Sequence, residues 1–341
     1  MFTSHLDKKV GTPEVTKLPS RNGFGDGLVE AGKRDAAVVA LSADLTESTR
    51  VLPFAEAYPA RFVQVGIAEQ NMASVASGMA AMGKVPFIAS YAMFSPGRNW
   101  EQIRTTIAYN NVNVKIIGAH AGISVGPDGA THQALEDIGL MRLIPNMIVI
   151  APCDAIEARK ATLVAAKHNG PVYIRTGRSE TPVVTTDDSP FVIGKADLFY
   201  TKKEGLAKSV GIVVTGTLAH NALLAAVELE ATGIGASVLH MATIKPLDEA
   251  ALLQLAKTHD AIITVEEHQV AGGLGGAVAE ALSSTHPIKI TRLGVTDQFG
   301  QSGEPDELLA HYGLDTKAIV EAGKAIVAYQ SLRSFNLVVV P

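Results

Sequence analysis

Two histidines and an aspartate occur on one glycine-rich segment, HAGISVGPDGATHQ at residues 120–133. His120, Asp128 and His132 could bind zinc, recognise a phosphate group or transfer protons. Zinc would need a further closely spaced ligand, and none is obvious in the sequence. Three glycines and a proline restrict the shape of the segment. This restriction favours a ligand-binding loop over an ordinary surface loop.

A second candidate is Glu69, the acidic residue of the stretch VQVGIAEQNMASVASGMAAMG at residues 63–83. A short apolar run precedes it and small residues follow, so Glu69 is predicted where a strand meets a helix. An acid in the first turn of a helix contributes under about 1 kcal/mol of stability, which is a purely structural explanation. The small neighbours would also admit a flat ligand, and burial there would raise the pKa of the carboxyl. Both interpretations stay open on these residues alone.

Polar and aromatic residues follow other predicted strands, where open α/β sheets bind ligands. Tyr91 and Phe94 end one strand and could stack on a planar heterocycle, although such aromatics most often belong to the core. Asp44 and Ser48 follow an earlier strand. These positions are candidates for a site at the carboxyl edge of a sheet.

Two arginines flank the ends of predicted elements. Arg21 lies at a helix start and Arg175 at a strand end. Each alone is more often a solvated charge, but with Ser48 and His120 they would form a phosphate clamp.

Two glycine-rich segments have simpler explanations. Gly25-Asp26-Gly27 lies inside a helical pattern with no following Asn pair, so we do not predict a magnesium site there. The segment from Gly272 to Gly276 does not match the dinucleotide-binding spacing and is predicted to allow close packing of a strand against a helix.

The elements that position these residues follow from alternating apolar runs and amphipathic segments. In the first half of the chain strands and helices alternate, which indicates a mainly parallel sheet covered on both faces. Residues 179–208 shift to Thr, Asp, Pro and Lys without a period and predict a linker. The predicted α/β organisation is an N-terminal arm at 1–18, a doubly wound domain at 19–178, this linker, and a smaller doubly wound domain at 209–335.

Composition limits the class of protein. The 341 residues are 47% hydrophobic and 18% charged, which suits two compact domains. A net charge of −5 argues against nucleic acid and anionic membrane as partners. The single Cys153 excludes an internal disulfide, and the sequence shows neither a membrane-spanning apolar run nor a signal-peptide core. We expect a soluble cytoplasmic protein.

Five stretches, in this order, resemble the C-terminal half of a transketolase, its pyrimidine-binding domain followed by its C-terminal domain. The stretches are LSADLTEST, VGIAEQNMASVASGMA, HAGISVGPDGATHQALEDIGLMRLIPNMIVIAP, GPVYIRTGR and EEHQVAGGLGGAVAEAL, within residues 15–330. A complete transketolase chain is nearly twice as long. The resemblance therefore implies that the domain holding a diphosphate and its Mg²⁺ or Ca²⁺ is a separate N-terminal subunit, with no metal ligand in this chain.

The cofactor implied by the resemblance is thiamin diphosphate. Glu69 matches the glutamate that hydrogen-bonds the aminopyrimidine N1′, a role that requires a carboxyl holding or sharing a proton. This contact favours the imino tautomer, whose nitrogen removes the thiazolium C2 proton before a two-carbon unit passes from a ketose to an aldose. Tyr91 and Phe94 match the aromatics around the pyrimidine, with tyrosine where phenylalanine is common. Asp44 matches a strand-end aspartate near the thiamin.

A set of sugar-binding residues is also implied by the resemblance. His132 is similar to the histidine that bonds the reacting hydroxyl of the donor, and Asp128 to the group that reads the C2 hydroxyl. The implied sugar-phosphate clamp consists of Arg21, Ser48, His120 and Arg175. Arg178 is a second candidate for the place of Arg175, because the alignment slips slightly there.

Three alternatives remain. Deoxyxylulose-phosphate synthase shares the GIAEQ and THQ-like blocks, but His120 favours transketolase. The β chain of two-oxoacid dehydrogenases shares the two-domain layout and lacks the histidine–aspartate loop. A non-catalytic assembly partner would have no need of Glu69 or His132. The expected assembly is a dimer of this chain joined to two N-terminal subunits, which is a heterotetramer. The sequence leaves open which sugars react and whether they are phosphorylated. It also assigns no role to the tail at 335–341.

Overall fold

A computed structural model describes residues 1–335, and it confirms an α/β fold built on two main sheets. The tail from residue 336 onward lies outside this range. The strands are β1 (Lys17–Pro19), β2 (Val38–Ser42), β3 (Phe62–Gln64), β4 (Val85–Tyr91), β5 (Lys115–Ala119), β6 (Ile148–Ile150), β7 (Val172–Arg175), β8 (Glu180–Pro182), β9 (Asp197–Tyr200), β10 (Lys208–Val214), β11 (Ile234–His240), β12 (Thr243–Lys245), β13 (Ala261–Gln269) and β14 (Ile290–Val295). The α-helices are α1 (Ser20–Arg34), α2 (Leu52–Ala57), α3 (Glu69–Ala81), α4 (Trp100–Gln102), α5 (Asp137–Arg142), α6 (Ala155–Lys167), α7 (Ala219–Ala231), α8 (Glu249–Thr258), α9 (Leu274–Thr285), α10 (Pro305–His311) and α11 (Thr316–Phe335). Short 3₁₀ helices lie at Pro59–Arg61, Ile123–Asp128 and Gly216–Leu218, and a π-helix lies at Ile103–Ala108.

The first α/β unit is built on a seven-stranded sheet in the order β12-β6-β7-β5-β4-β2-β3. All neighbouring strands are parallel except the β12–β6 pair. Its strands are almost wholly apolar, as expected for strands covered on both faces. Buried apolar clusters on either side, one around Phe24 and Phe87 and one around Met72 and Ile88, confirm the prediction.

The second α/β unit is built on a five-stranded sheet in the order β14-β13-β10-β11-β9, in which β9 runs antiparallel. Two of the strands lie in the segment predicted to be a linker. β8 pairs with β1, and β9 forms an edge of the second sheet, where Phe199 and Tyr200 are buried. These strands have only three and four residues, which is too short for an alternating pattern to show in the sequence.

The N-terminal arm packs on the rest of its own chain. Leu6 and Val10 are buried in the apolar core of the second unit. Phe2 and Leu6 form isolated bridges with Tyr200 and Thr185. The arm is therefore part of this core.

Strand β12 connects the two units directly. It follows β11 of the second unit in the chain, yet it pairs antiparallel with β6 at the edge of the first sheet. A single apolar cluster also contains Val149 of the first unit together with Met241 and Ile244. The two units therefore share both a sheet and a core.

Both glycine-rich segments serve packing. Gly27 lies inside α1 against α6, where an added Cβ would come 2.8 Å from the Thr162 Cβ. Gly275 lies in the first turn of α9, where a Cβ would come 2.7 Å from Thr264 Oγ1 of β13. The predicted strand–helix packing is confirmed. Across residues 1–335, none of the helices combines the length and the hydropathy that a membrane crossing would require.

Candidate active site

The residues selected from the sequence gather at the carboxyl edge of the first sheet. Strand β4 ends at Tyr91, and His120 follows the end of the adjacent β5. Asp44 follows β2, and Glu69 follows β3 at the start of α3. Because parallel strands bring their carboxyl ends to one edge, residues far apart in the chain converge there.

Glu69 is buried at this edge, with 1% of its surface exposed. Its Oε2 accepts a hydrogen bond from Arg98 Nη1 at 2.6 Å, and its carbonyl accepts one from Asn99 Nδ2 at 3.1 Å. Ser90 Oγ lies 3.5 Å from Oε1. Sequence reasoning missed Arg98, which follows Phe94 by four residues. The predicted position in the first turn of a helix is confirmed, whereas the predicted proton-bearing carboxyl remains a prediction.

Tyr91 and Phe94 present two nearly parallel rings beside this carboxylate. Their centroids are 6.1 Å apart and their planes differ by 17°. Arg98 joins them to Glu69, since its Cζ lies 4.8 Å from the centroid of the Phe94 ring. His132 meets Phe94 edge-on at 5.5 Å. The rings are half-buried and offer an aromatic wall to a planar ligand.

The proton position on His120 follows from its partner. Arg21 Nη1 donates to Ser48 O at 2.8 Å and lies 3.0 Å from His120 Nε2. Because arginine can only donate, Nε2 is the acceptor and the imidazole proton lies on Nδ1. Within residues 1–335 Nδ1 is buried without a hydrogen-bond partner. It is therefore a buried N–H donor without a partner among these residues, and Ser48 contributes its carbonyl, not its hydroxyl.

Burial is the main reason why the pKa of His120 is lowered to about 3, and the positive charges of Arg21, Arg178 and Arg50 lower it further. The imidazole is therefore neutral near pH 7. The three arginines surround it with positive charge, an arrangement suited to an anionic group of a ligand. Arg50 was missed in the sequence; its Nε donates to Asn22 Oδ1 at 2.9 Å.

This lowered pKa predicts a pH dependence of stability. Between about pH 6.5 and 3 the unfolded chain binds a proton at His120 that the folded chain does not, so stability is complete above pH 6.5 and falls below it. The free energy of unfolding of wild type relative to His120→Gln should fall by about 2 kcal/mol from pH 6.5 to 5. Urea denaturation across this range measures it. His311→Gln, which removes an exposed histidine, is the control; the same pH dependence in both variants would contradict the prediction.

Arg178 and Asp128 lie on the outer side of the same loop. Arg178 Nη1 donates to Val125 O at 2.8 Å and to Asp128 Oδ1 at 3.2 Å. Both side chains are partly exposed, at 37% and 29%, so the pair is open to exchange for a ligand. Arg178 thus joins the charges around His120.

Arg175 does not join this group, contrary to the prediction for the clamp. It is 7% exposed and points into the contact between the two units. Its Nε donates to Asp137 Oδ2 at 2.9 Å, and its Nη2 donates to Glu267 O at 2.7 Å. Burial opposes its charge, yet Asp137 and Glu267 raise the pKa of Arg175. The contacts assign it a structural role, and Arg178, just past the end of β7, is the one of the two candidates whose charge lowers the pKa of His120.

Asp44 lies somewhat apart at the end of β2. It is exposed, has a left-handed φ of 61°, and donates its amide to Gln64 Oε1 at 2.8 Å. Its placement at the same sheet edge agrees with the expectation, and its contact with a cofactor stays a prediction.

Away from this edge, Cys153, Glu157 and His240 form the group within the described residues whose chemistry could suit a metal ion. His240 Nε2 and Glu157 Oε2 are 2.7 Å apart, and the same oxygen accepts from the Cys153 amide at 2.7 Å. These contacts pair the groups with one another, so they account for the cluster without an ion.

Comparison with known proteins agrees with this geometry. The family model for the transketolase pyrimidine-binding domain matches residues 16–184, and that for the transketolase C-terminal domain matches residues 200–319. A putative transketolase C-terminal section of Methanocaldococcus jannaschii is 44% identical and covers 88% of this chain and 94% of that protein. A 6-deoxy-6-sulfo-D-fructose transketolase subunit of a Clostridium species is 41% identical and covers 92% and 96%.

A solved structure described as a split gene transketolase, inactive beta4 tetramer, has a TM-score of 0.83 and 43% identity. It covers 92% of this chain and 99% of that chain. Its fold, the two family matches and the relatives agree over nearly the full length described. The chain therefore belongs to the transketolase family and comprises its pyrimidine-binding and C-terminal domains.

Proposed function

We propose that this chain is the C-terminal subunit of a split transketolase, which transfers a two-carbon ketol unit from a ketose to an aldose. The observation that carries the proposal is the buried Glu69 carboxylate beside the near-parallel rings of Tyr91 and Phe94, at the same sheet edge as neutral His120. The similar transketolase section and transketolase subunit match this chain over 94% and 96% of their own lengths, which supports the assignment to a split enzyme.

The residues at this edge fit thiamin diphosphate. Glu69 would hold the proton at the aminopyrimidine N1′, and Tyr91 and Phe94 would wall the planar ring. When bound, the cofactor supplies the nucleophilic carbon and the electron sink for the transferred unit. The small residues that follow Glu69 on α3 leave room for a flat ring to approach.

The sugar is bound by the neighbouring side chains in this proposal. His120 would donate its free Nδ1–H, and His132 and Asp128 would contact the hydroxyls of the donor. Arg21, Arg50 and Arg178 would hold a phosphate by charge-assisted hydrogen bonds. Of the clamp first expected from Arg21, Ser48, His120 and Arg175, Arg21 keeps its place in this proposal and Arg178, the second candidate, takes that of Arg175.

A partner subunit would supply the diphosphate and metal site. The diphosphate tail of thiamin diphosphate is anionic and binds through Mg²⁺ or Ca²⁺. We propose that the protein ligands of this ion lie on an N-terminal subunit within a heterotetramer. The structurally similar split transketolase is described as inactive in its beta4 form, which supports a requirement for a second chain.

Cofactor binding tests the proposal directly. Calorimetric titration of thiamin diphosphate with Mg²⁺ should show weak binding to this chain alone and tight binding to its mixture with the partner, because only the mixture holds both ends of the cofactor. The mixture is then assayed with ketose–aldose pairs. A separate assay uses pyruvate, the donor of the alternative families. Tight metal-dependent binding by the isolated chain, or turnover of pyruvate alone, would refute the proposal.

Replacement of Arg178 tests the phosphate contact. Arg178→Ala should raise the KM for phosphorylated sugars about 10- to 100-fold, since a hydrogen bond to a charged group contributes about 1.5–3 kcal/mol. The kcat should change little. Steady-state kinetics with paired phosphorylated and unphosphorylated donors measures the change in KM. Lys195→Ala, which removes an exposed lysine in the segment at 179–208, is the control. Equal losses for both donors would show that Arg178 does not read the phosphate.

A further inference from the structure

Glu267 connects the second unit to the loop at residues 120–133. It lies near the end of β13 and is 3% exposed. Its Oε1 accepts a hydrogen bond from the Ser124 amide, and its Oε2 accepts one from the Thr217 hydroxyl at 3.2 Å. A carboxylate of the second unit thus holds the backbone of a loop that belongs to the first.

The loop approaches this carboxylate so closely that a side chain would not fit. Gly122 has a φ of +91°, and a Cβ added there would come 2.3 Å from Glu267 Oε1. Gly122 lies two residues after His120, and Ser124 lies four residues before Asp128. The contact therefore sits between the side chains proposed to bind the sugar.

The first unit holds the next peptide groups of the loop from the other side. Ser179 Oγ donates to Ser124 O at 2.6 Å, and Arg178 Nη1 donates to Val125 O at 2.8 Å. Ser124 is consequently bonded through its carbonyl to one unit and through its amide to the other. Loss of the amide contact would remove the support that Glu267 gives to the loop, while Gln133 Nε2 would still donate to Gln301 O of the second unit at 2.9 Å.

Stability alone is a poor explanation for an acid at this place. Burial raises the pKa of Glu267, which means that its charged form is opposed by the surroundings, although Arg175 and the Ser124 amide offset part of this. A buried ionised group commonly contributes no more than a well-packed apolar residue would. Its directed contacts with one loop favour a role in placing that loop.

We propose that Glu267 is a positioning residue for the sugar: by holding the Ser124 amide it keeps His120 and Asp128 in place, so that the second unit takes part in substrate binding. This inference rests on the function proposed above. Its test therefore combines sugar kinetics with a measurement that does not depend on activity.

Two variants separate length from charge. Glu267→Gln keeps the length and an oxygen acceptor for the Ser124 amide. Glu267→Asp keeps the charge but is one methylene shorter, so its oxygen withdraws from that amide. Glu230→Ala is the matched control, because Glu230 is a buried carboxylate of the second unit whose partners, Tyr200 and Lys203, lie outside the loop.

Amide hydrogen exchange on the full chain measures the loop itself. The Ser124 amide should exchange at least about 10-fold faster in Glu267→Asp and within about 3-fold of wild type in Glu267→Gln and Glu230→Ala. In the reconstituted enzyme, the KM for the donor ketose should rise about 10-fold in Glu267→Asp, while the Kd of thiamin diphosphate stays within about 2-fold.

Two outcomes overturn the inference: wild-type exchange at Ser124 in Glu267→Asp, or a parallel rise of the sugar KM and the cofactor Kd. If the wild-type pair shows no ketol transfer, the proposed function fails, and the exchange rates still decide whether Glu267 holds the loop.

Discussion

Glu69→Ala in the reconstituted enzyme is expected to lower kcat by about 100- to 10,000-fold, the range for loss of a positioned acid or base. The carboxylate is buried beside the aromatic pair, where water cannot readily take its place. Assembly should be retained, because α3 keeps its apolar contacts through Met72 and Ala76. Single-turnover and steady-state assays measure the rate, and sedimentation measures the assembly.

Two further variants identify the cause of the loss. Glu69→Gln keeps the size and can still accept from Arg98, so a loss equal to that of alanine would assign the effect to the ionisable proton. Glu56→Ala, which removes an exposed glutamate of α2, should leave kcat unchanged. Retention of turnover within about 3-fold in Glu69→Ala would refute the role given to this carboxyl.

Arg175→Ala is expected to reduce the free energy of unfolding by about 3–5 kcal/mol, as found when one partner of a buried ion pair is removed. Asp137 would remain buried beside Tyr173, whose hydroxyl donates to the same Oδ2 at 2.7 Å. The Glu267 carbonyl would lose its donor. Urea denaturation of the isolated chain measures the change.

Arg178→Ala is the matched control for stability. It removes the same side chain three residues away, but its ion pair is partly exposed and should contribute under about 1 kcal/mol. Arg175→Ala should thus mainly lower the free energy of unfolding, whereas Arg178→Ala should mainly raise the KM for phosphorylated sugars. Equal stabilities of the two variants would contradict the structural role of Arg175.

Elements with a strong period could be predicted from the sequence. Strand Val85–Tyr91 and helix Ala219–Ala231 are examples, because each is long enough for its apolar pattern to show in the sequence. The short strands β8, β9 and β12 could not be predicted, because three or four residues carry too little pattern. What defines them is pairing with a distant partner, such as Thr243 with Ile150.

The site was predictable where residues follow strand ends. Tyr91 and Phe94 were selected because they end a strand, and His120 and His132 because they share a glycine-rich segment. The structure brings these rings together. The choice between Arg175 and Arg178 was not predictable in the same way. It depends on where β7 ends and on an acceptor at Glu267, 92 residues farther along the chain.

Strand β12 limits how this protein can be divided. Separation of the two units would remove β12 from β6. The amides and carbonyls of β6 on that side would then be unpaired at the edge of the first sheet. An unpaired edge strand of this kind is a template for pairing with other chains and for aggregation. The pairing of β12 with β6 therefore ties the two units to each other as one structural piece.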